Sequence, residues 1–323
     1  MFERDLLVVI VGPTGVGKTA LAIRLAEALE AEGVHAEIVS ADSRQIYRGM
    51  DVGTAKPSPA EQARVPHHLI DLLDPDGSFS LAEFQECAYA AIDEIHAREH
   101  LPFLVGGTGQ YVRAVVEGWV IPRVPPDEAL RARLYAQAEE EGGEALYERL
   151  LALDPGAKEL VDPRNVRRVV RALEVCLKTG RPFSEQRGKA PPPYEILRIG
   201  LTMEREALYE RVNARVDAMI EAGLVEEVCA LHAQGYSWEL PAMSSLGYRQ
   251  LRAYLMGELS LQDAVEEIKT ETHRFIRHQY NWFRPADPDI HWLDAAGDPL
   301  PAALARIREV LDGSTRSADG GPS

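Results

Sequence analysis

The sequence predicts an α/β protein: a parallel sheet wound with crossover helices and interrupted by a helical insertion. The run Leu6–Val11, LLVVIV, is continuously apolar and rich in β-branched residues, as in a strand buried on both faces. Further short apolar runs alternate with helical stretches as far as Gly118, the pattern of β-α-β units. From about 124 to 192 the texture changes to charged helix bounded by prolines.

Each element follows in order. After Leu6–Val11 comes a glycine-rich loop, then an Ala/Leu-rich helix to about Ala31. A strand over 36–40 leads into the polar loop ADSRQIYRGMDVGTAKP. HHLIDLL and LPFLVGG read as strands, with a helix over 81–98 between them. VIPRVPPDEALRARL opens the insertion, helical to about Leu153 and again over 166–178, and GKAPPPYE closes it. ILRIGLTM returns as a buried strand, and 205–283 is mostly helical. The expected domains are an α/β core with a helical C-terminal part (1–123 and 193–311), a helical insertion (124–192) and a disordered tail (312–323).

Composition narrows the function classes. The 323 residues carry 35 basic and 51 acidic side chains, a formal charge of −16. A nucleic-acid partner would then require local clusters of Lys and Arg. Cys87, Cys176 and Cys229 are far apart and lack Cys-x-x-Cys spacing, which suggests neither disulfides nor zinc. Leu6–Val11 is far shorter than the ~20 residues that span a bilayer, and it begins too early for a signal peptide. A cytoplasmic monomer without a membrane partner is expected.

GPTGVGKT, Gly12–Thr19, places a glycine-rich loop between a strand and a helix start. Backbone N–H groups then converge on phosphate oxygens, Lys18 adds a charge, and the Thr19 hydroxyl suits Mg²⁺. The loop alone leaves ATP hydrolysis, kinase chemistry and other transfers open. A triphosphatase would add a carboxylate at a strand end. LPFLVGGTGQY ends instead in Gly-Gly-Thr, with Asp71 as a possible substitute. Asp42 lies just beyond a strand end, where α/β sheets build sites, although it also suits a turn cap.

Positive charge gathers in places. Arg164, Arg167, Arg168 and Arg171 fall on one helical stripe, and no acid interrupts 163–173. Either an RNA backbone or a solvated face paired with acids elsewhere explains it. Thr272–Arg284 is also free of acids and interleaves Arg274, Arg277, His278 and Arg284 with Phe275, Tyr280, Trp282 and Phe283. Such a mixture suits single-stranded RNA. Phe275, Gln279 and Trp282 share a helix face, however, which favours a core position for those rings. Arg211 and Arg215 stand at i, i+4.

GPTGVGKT, SADSRQIYRGMDVGTAKP, VPHHLIDLLDP, LVGGTGQYVRAV, VRRVVRALEV and SSLGYRQL occur in this order. Together they resemble the tRNA dimethylallyltransferases, or IPP transferases, from Val8 to about Leu293. Gly15-Val16 replaces a frequent Ala-Ser, and His273 and His278 replace frequent arginines. The resemblance implies a P-loop NTPase-like core. Its loop, Gly12, Pro13, Thr14, Gly15, Val16, Gly17, Lys18 and Thr19, would hold the diphosphate of dimethylallyl diphosphate, with Mg²⁺ at Thr19 and Arg211 assisting. It implies transfer to N6 of adenosine 37 in the tRNA anticodon stem-loop, with Asp42 as general base and Lys18 and Thr19 also catalytic. Asp42, Ser43, Arg44, Gln45, Thr108, Arg131, Arg167, Arg168, Arg171, Arg274 and Arg277 would contact tRNA. Thr108 also suits a helix N-cap, and Arg211 a surface ion pair. A small-molecule kinase and a non-catalytic RNA-binding module are the rival readings.

Overall fold

The computed structural model describes residues 5–318. The chain runs β1 (Leu6–Val11), α1 (Lys18–Glu30), β2 (Ala36–Ser40), α2 (Pro59–Arg64), β3 (His67–His68), α3 (Leu81–Ala97), β4 (Leu101–Val105) and α4 (Gly109–Val116). It continues with β5 (Trp119–Val120), α5 (Glu128–Glu141), α6 (Gly143–Leu153), α7 (Val166–Thr179) and β6 (Gly188–Lys189). Then follow β7 (Glu195–Thr202), α8 (Arg205–Glu221), α9 (Leu224–Ala233), α10 (Tyr248–Leu255), α11 (Leu261–Gln279), β8 (His291–Asp294) and α12 (Leu300–Ala318). One compact unit takes the chain up to Arg113 and from Pro193 onward; the other is Ala114–Pro192.

In the first unit six strands form a parallel sheet in the order β3-β2-β4-β1-β7-β8. β1 lies inside this sheet, so all six of its side chains are buried and a polar alternation would be costly. Leu6, Val8 and Ile10 pack with Leu21, Leu25 and Leu29 of α1 and with Ala303 and Ile307 of α12. Each such Leu, Ile or Val side chain contributes about 1.5–3 kcal/mol by burial. α3, which packs on β2 and β4, starts in a capping box: Glu83 N–H donates to Ser80 Oγ and Ser80 N–H to Glu83 Oε2.

The long loop after β2 is tied down at both ends of its course. Ile46, Tyr47 and Met50 enter a second core with Val228, Tyr248, Leu251 and Ile268. Glu227 accepts hydrogen bonds from the N–H groups of Asp51, Val52 and Gly53 and from the Tyr248 hydroxyl. Lys56 bridges Asp51 at 2.6 Å and Asp71 at 2.5 Å. Asp71 is therefore committed to a lysine and does not supply the missing strand-end carboxylate. Only His67–His68 of HHLIDLL pairs as strand, since Leu69 (φ 61°) and Asp71 (φ 53°) leave the extended region. His68, His100 and Arg98 converge on buried Glu37. Burial would raise the Glu37 pKa, but these hydrogen bonds outweigh it and bring it down to about 2. His68 thus has a structural partner, while His67 Nδ1 bonds the Val65 carbonyl.

The second unit opens at Ala114, ten residues before the expected 124, because its two ends are paired. β5 and β6 run antiparallel, and Ala190 N–H donates to Gly118 O at 2.7 Å. At the other extreme, α12 continues through Ala318 into the stretch expected to be disordered from 312; residues 319–323 lie outside those described. β8, a four-residue edge strand, was not anticipated. Among the described residues no helix is long and apolar enough to cross a membrane.

Helices α5, α6 and α7 bury Leu130, Leu134, Leu146, Leu150, Val169, Val170 and Leu173. Among them lies Glu174, fully buried, which accepts from Arg131 Nε and Nη2, Arg171 Nη1 and Asp127 N–H. Burial would raise its pKa, yet Arg131, Asp127 N–H and Arg171 hold it below the usual carboxylate range. Arg171 also donates to Val124 O and Pro122 O. These two arginines, expected to contact tRNA, have their donors committed inside the unit. Arg167 and Arg168 are exposed at the start of the helix, and Arg164 pairs with Asp162. Arg131→Ala or Arg171→Ala should therefore cost about 1–3 kcal/mol by leaving Glu174 under-compensated. Arg167→Ala and Arg168→Ala should each stay within about 0.5 kcal/mol. Urea denaturation of the four variants checks the contrast.

Candidate functional site

The site grows from the carboxyl ends of β1, β2 and β4. After β1 the loop turns back so that α1 starts at Lys18, with Gly17 (φ 103°) as its N-cap and no side chain capping it. The first N–H groups of the helix are thus left for an anion. Val16 is buried, so it offers the site backbone only. Gly15 is required by packing: a Cβ there would lie 2.3 Å from Val212 Cγ1 of α8. The replacement of the frequent Ala-Ser by Gly15-Val16 thus fits a loop pressed against this helix. Lys18 Nζ donates to Pro13 O at 2.8 Å. Burial lowers the Lys18 pKa to about 8, with Asp42 opposing and Arg215 adding to the fall.

Asp42 stands two residues beyond β2. Its Oδ1 accepts from Arg44 N–H at 2.8 Å, the turn cap that its residue type suggested. Among the described residues Oδ2 takes no hydrogen bond, so one oxygen shapes the turn and the other stays available. Ser43 N–H donates to Thr108 Oγ1 at 3.2 Å, and Thr108 N–H to Ala41 O at 3.3 Å, joining the β2 and β4 loops. Arg44 donates to Pro241 O at 2.7 Å. Gln45 is buried; it accepts from Ser40 Oγ and donates to Thr54 O and Ala55 O. Its carboxamide therefore shapes the loop, so of the four tRNA contacts expected in this loop Asp42 and Ser43 keep the most freedom.

α8 brings two arginines. A Cβ on Gly17 would lie 3.4 Å from Arg211 Nη2, which places the Arg211 guanidinium beside the helix start. Arg215, one turn on, has its pKa lowered by burial and by Arg211, while Asp42 opposes this. Its i, i+4 spacing from Arg211 was the signal for it, although only Arg211 was assigned a role. Gln279, which helical spacing places on one face with Phe275 and Trp282, is a second site residue that the sequence conceals. It ends α11 and accepts from Thr14 N–H at 2.7 Å.

Other expected contacts spread along α11. Arg274 pairs with Glu271, and Arg277 Nη1 donates to Tyr209 Oη at 3.2 Å. His273 bonds Asn213 Oδ1 at 2.9 Å and stacks on Tyr209, whereas His278 is exposed. Contrary to the core expectation, Phe275 and Trp282 are 46% and 38% exposed, and Ile276 and Phe283 fill the core. Among the described residues no three His, Cys, Asp or Glu side chains gather into a metal site. The Thr19 hydroxyl, next to Lys18, suits a Mg²⁺ held mainly by phosphate oxygens and water rather than by protein carboxylates.

The profile of the IPP transferase family matches residues 45–286. A tRNA dimethylallyltransferase of Roseiflexus sp. (strain RS-1) is 54% identical over 307 residues, covering 95% of this chain and 99% of that protein. One from Dehalococcoides mccartyi is 50% identical, covering 98% and 94%. The crystal structure of the tRNA isopentenylpyrophosphate transferase from Bacillus halodurans matches with a TM-score of 0.71 and 40% identity, over 98% of this chain and 100% of that one. A eukaryotic dimethylallyltransferase acting on tRNA matches with a TM-score of 0.75 and 26% identity, over 94% and 78%. Matched along three quarters of its length by the family profile and along nearly all of it by such relatives, the chain belongs to the IPP transferase family.

Proposed function

We propose that the protein transfers the dimethylallyl group of dimethylallyl diphosphate to N6 of adenosine 37 in tRNAs reading codons that begin with U, releasing diphosphate. One juxtaposition carries this reading: an anion-binding loop and helix start, with Lys18, facing a carboxylate, Asp42, that has one oxygen free. An adenine N6 amine is a weak nucleophile, its lone pair delocalised into the ring. Asp42 Oδ2 accepts an N6–H hydrogen bond and takes the proton as the N6–C1 bond forms. The C1–O bond breaks with its electron pair going to the diphosphate. The loop amides, Lys18, Arg211 and Arg215 stabilise that charge. A Mg²⁺ on the diphosphate, touched by the Thr19 hydroxyl, would supply further charge neutralisation.

The β4 end favours this over a kinase. A Cβ on Gly106 would lie 2.2 Å from Ala41 O, so no carboxylate fits at that strand end. The exposed Arg167, Arg168 and Arg277 offer phosphate contacts for tRNA, and a cytoplasmic monomer accords with this substrate. Incubation with dimethylallyl diphosphate, Mg²⁺ and unmodified tRNA, then nucleoside mass analysis, should reveal adenosine carrying one dimethylallyl group. Phosphate transfer from ATP without that product would favour the kinase.

Three outcomes follow from the roles given. Asp42→Asn keeps a turn-capping oxygen but accepts no proton, so single-turnover rates should fall roughly 10²–10⁴-fold with binding and melting temperature nearly unchanged. A rate within about threefold of the parent would refute the base. Because the diphosphate favours protonated Lys18, whose pKa in the free protein is about 8, affinity should be flat between about pH 7 and 8, where the diphosphate itself is fully ionised. Above that range, Kd should rise by up to about tenfold per pH unit, and Lys18→Met should bind weakly at every pH. Arg167→Ala combined with Arg168→Ala should reduce the logarithmic salt slope of tRNA binding by about 1.4–1.8, two contacts at roughly 0.7–0.9 each. Dimethylallyl diphosphate affinity, followed by titration calorimetry, should not move.

A further inference from the structure

Gln279 is 4% exposed at the last turn of α11, where a leucine would satisfy packing. Its carboxamide instead spans two loops. Oε1 accepts from Thr14 N–H at 2.7 Å, and Nε2 donates to Gly107 O at 3.0 Å. Neither group is satisfied by its own helix. A buried amide is costly unless paired, and here both pairings go to backbone of the candidate site. The fit leaves no slack: a Cβ on Gly107 would lie 2.4 Å from Gln279 Nε2, 3.4 Å from Lys18 Nζ and 3.5 Å from Gly12 O. Gly107 is followed by Thr108, whose hydroxyl accepts from Ser43 N–H beside Asp42. A continuous path thus runs from Thr14 through Gln279 and Gly107-Thr108 to Ser43-Asp42.

We propose that Gln279 is a positioning residue for the transfer, fixing the separation between the diphosphate loop and the Asp42 loop. This rests on the prenyl-transfer reading. In that reaction C1 of the donor is held by one loop and N6 by the other, so their spacing sets the approach of the two reacting atoms. Only an amide of this length offers an acceptor to Thr14 and a donor to Gly107 at once. Asparagine is too short, and glutamate would set an oxygen against Gly107 O. The Thr14 N–H is thereby withdrawn from the anion, leaving the later amides of the loop and the helix start to bind it.

The test compares the parent, Gln279→Met, Gln279→Glu and Asp42→Ala, alone and combined, in single-turnover assays with separate binding titrations. Gln279→Met fills a similar volume without the hydrogen bonds. Its chemical step should slow about 10–100-fold, as misplacement by a fraction of an ångström to one ångström does, while each substrate binds within about threefold of the parent. In the Asp42→Ala background, where N6 is no longer held, the same change should cost less than about threefold. A purely structural role predicts a lower melting temperature with an unaltered rate in the folded fraction, or the full cost in both backgrounds, and either result overturns the proposal. Gln279→Glu, isosteric and retaining the Thr14 acceptor, should give the same split and serves if Gln279→Met does not fold. An active parent with a fast Gln279→Met refutes the positioning role alone. A parent that makes no prenylated adenosine refutes the underlying reaction and the role with it.

Discussion

Because β1, β2 and β4 run parallel, with Val8 and Ile38 both beside Phe103, their carboxyl ends reach one edge of the sheet together. The loops that follow them must therefore share one space. Backbone leaving three neighbouring strands would clash if each position carried a side chain, which explains the glycines on both sides of the meeting point. Gly106 lies against Ala41, and Gly107 against Gln279 and the Gly12 carbonyl. The strand-end carboxylate of a triphosphatase is excluded by the same crowding. What the fold places there instead is a carboxylate from the neighbouring strand, Asp42, already oriented by its bond to Arg44 N–H. The geometry of the sheet thus selects the chemistry before any substrate is considered.

The elements legible in the sequence are those whose physical cause is local. β1, buried on both faces, had no alternative to an unbroken apolar run, and the loop after it must be glycine-rich to turn. Helix α3 carries its own start signal in Ser80 and Glu83. The features hidden from the sequence share a different cause. Arg131 and Arg171 look like a cationic surface until Glu174, one turn beyond Arg171, is found buried between them. A single acid at the end of a basic stretch changed its meaning, and its burial depends on how three helices pack. The opening of the second unit at Ala114 rests on a two-residue ladder between β5 and β6, too short for a periodicity to show. In the same way Phe275 and Trp282 share a face with Gln279, yet it is the glutamine that is buried. Helical spacing identifies which residues lie together, not which side of them the core occupies.

The charges at the site show what the arrangement costs. Lys18, Arg211 and Arg215 converge near a single carboxylate, and the pKa values of Lys18 and Arg215 are lowered mainly by burial, with mutual repulsion adding to it. An ammonium that loses hydration in this way is destabilising until an anion arrives. Asp42 offsets part of the excess, but its acceptor oxygen must stay free if it is to meet an amine. A small neutral ligand would leave the imbalance in place, whereas a diphosphate corrects it and restores a higher pKa to Lys18. In the proposed reaction, binding the donor would complete the electrostatics of the site, and Asp42 would gain a neighbour whose leaving group is already neutralised. On this account an acidic protein of net charge −16 can keep a cationic site alongside a few exposed arginines such as Arg167, Arg168 and Arg277. The positive charge is concentrated where a glycine-rich loop and a helix start already favour an anion, and elsewhere arginines such as Arg131 and Arg171 are consumed by the fold itself.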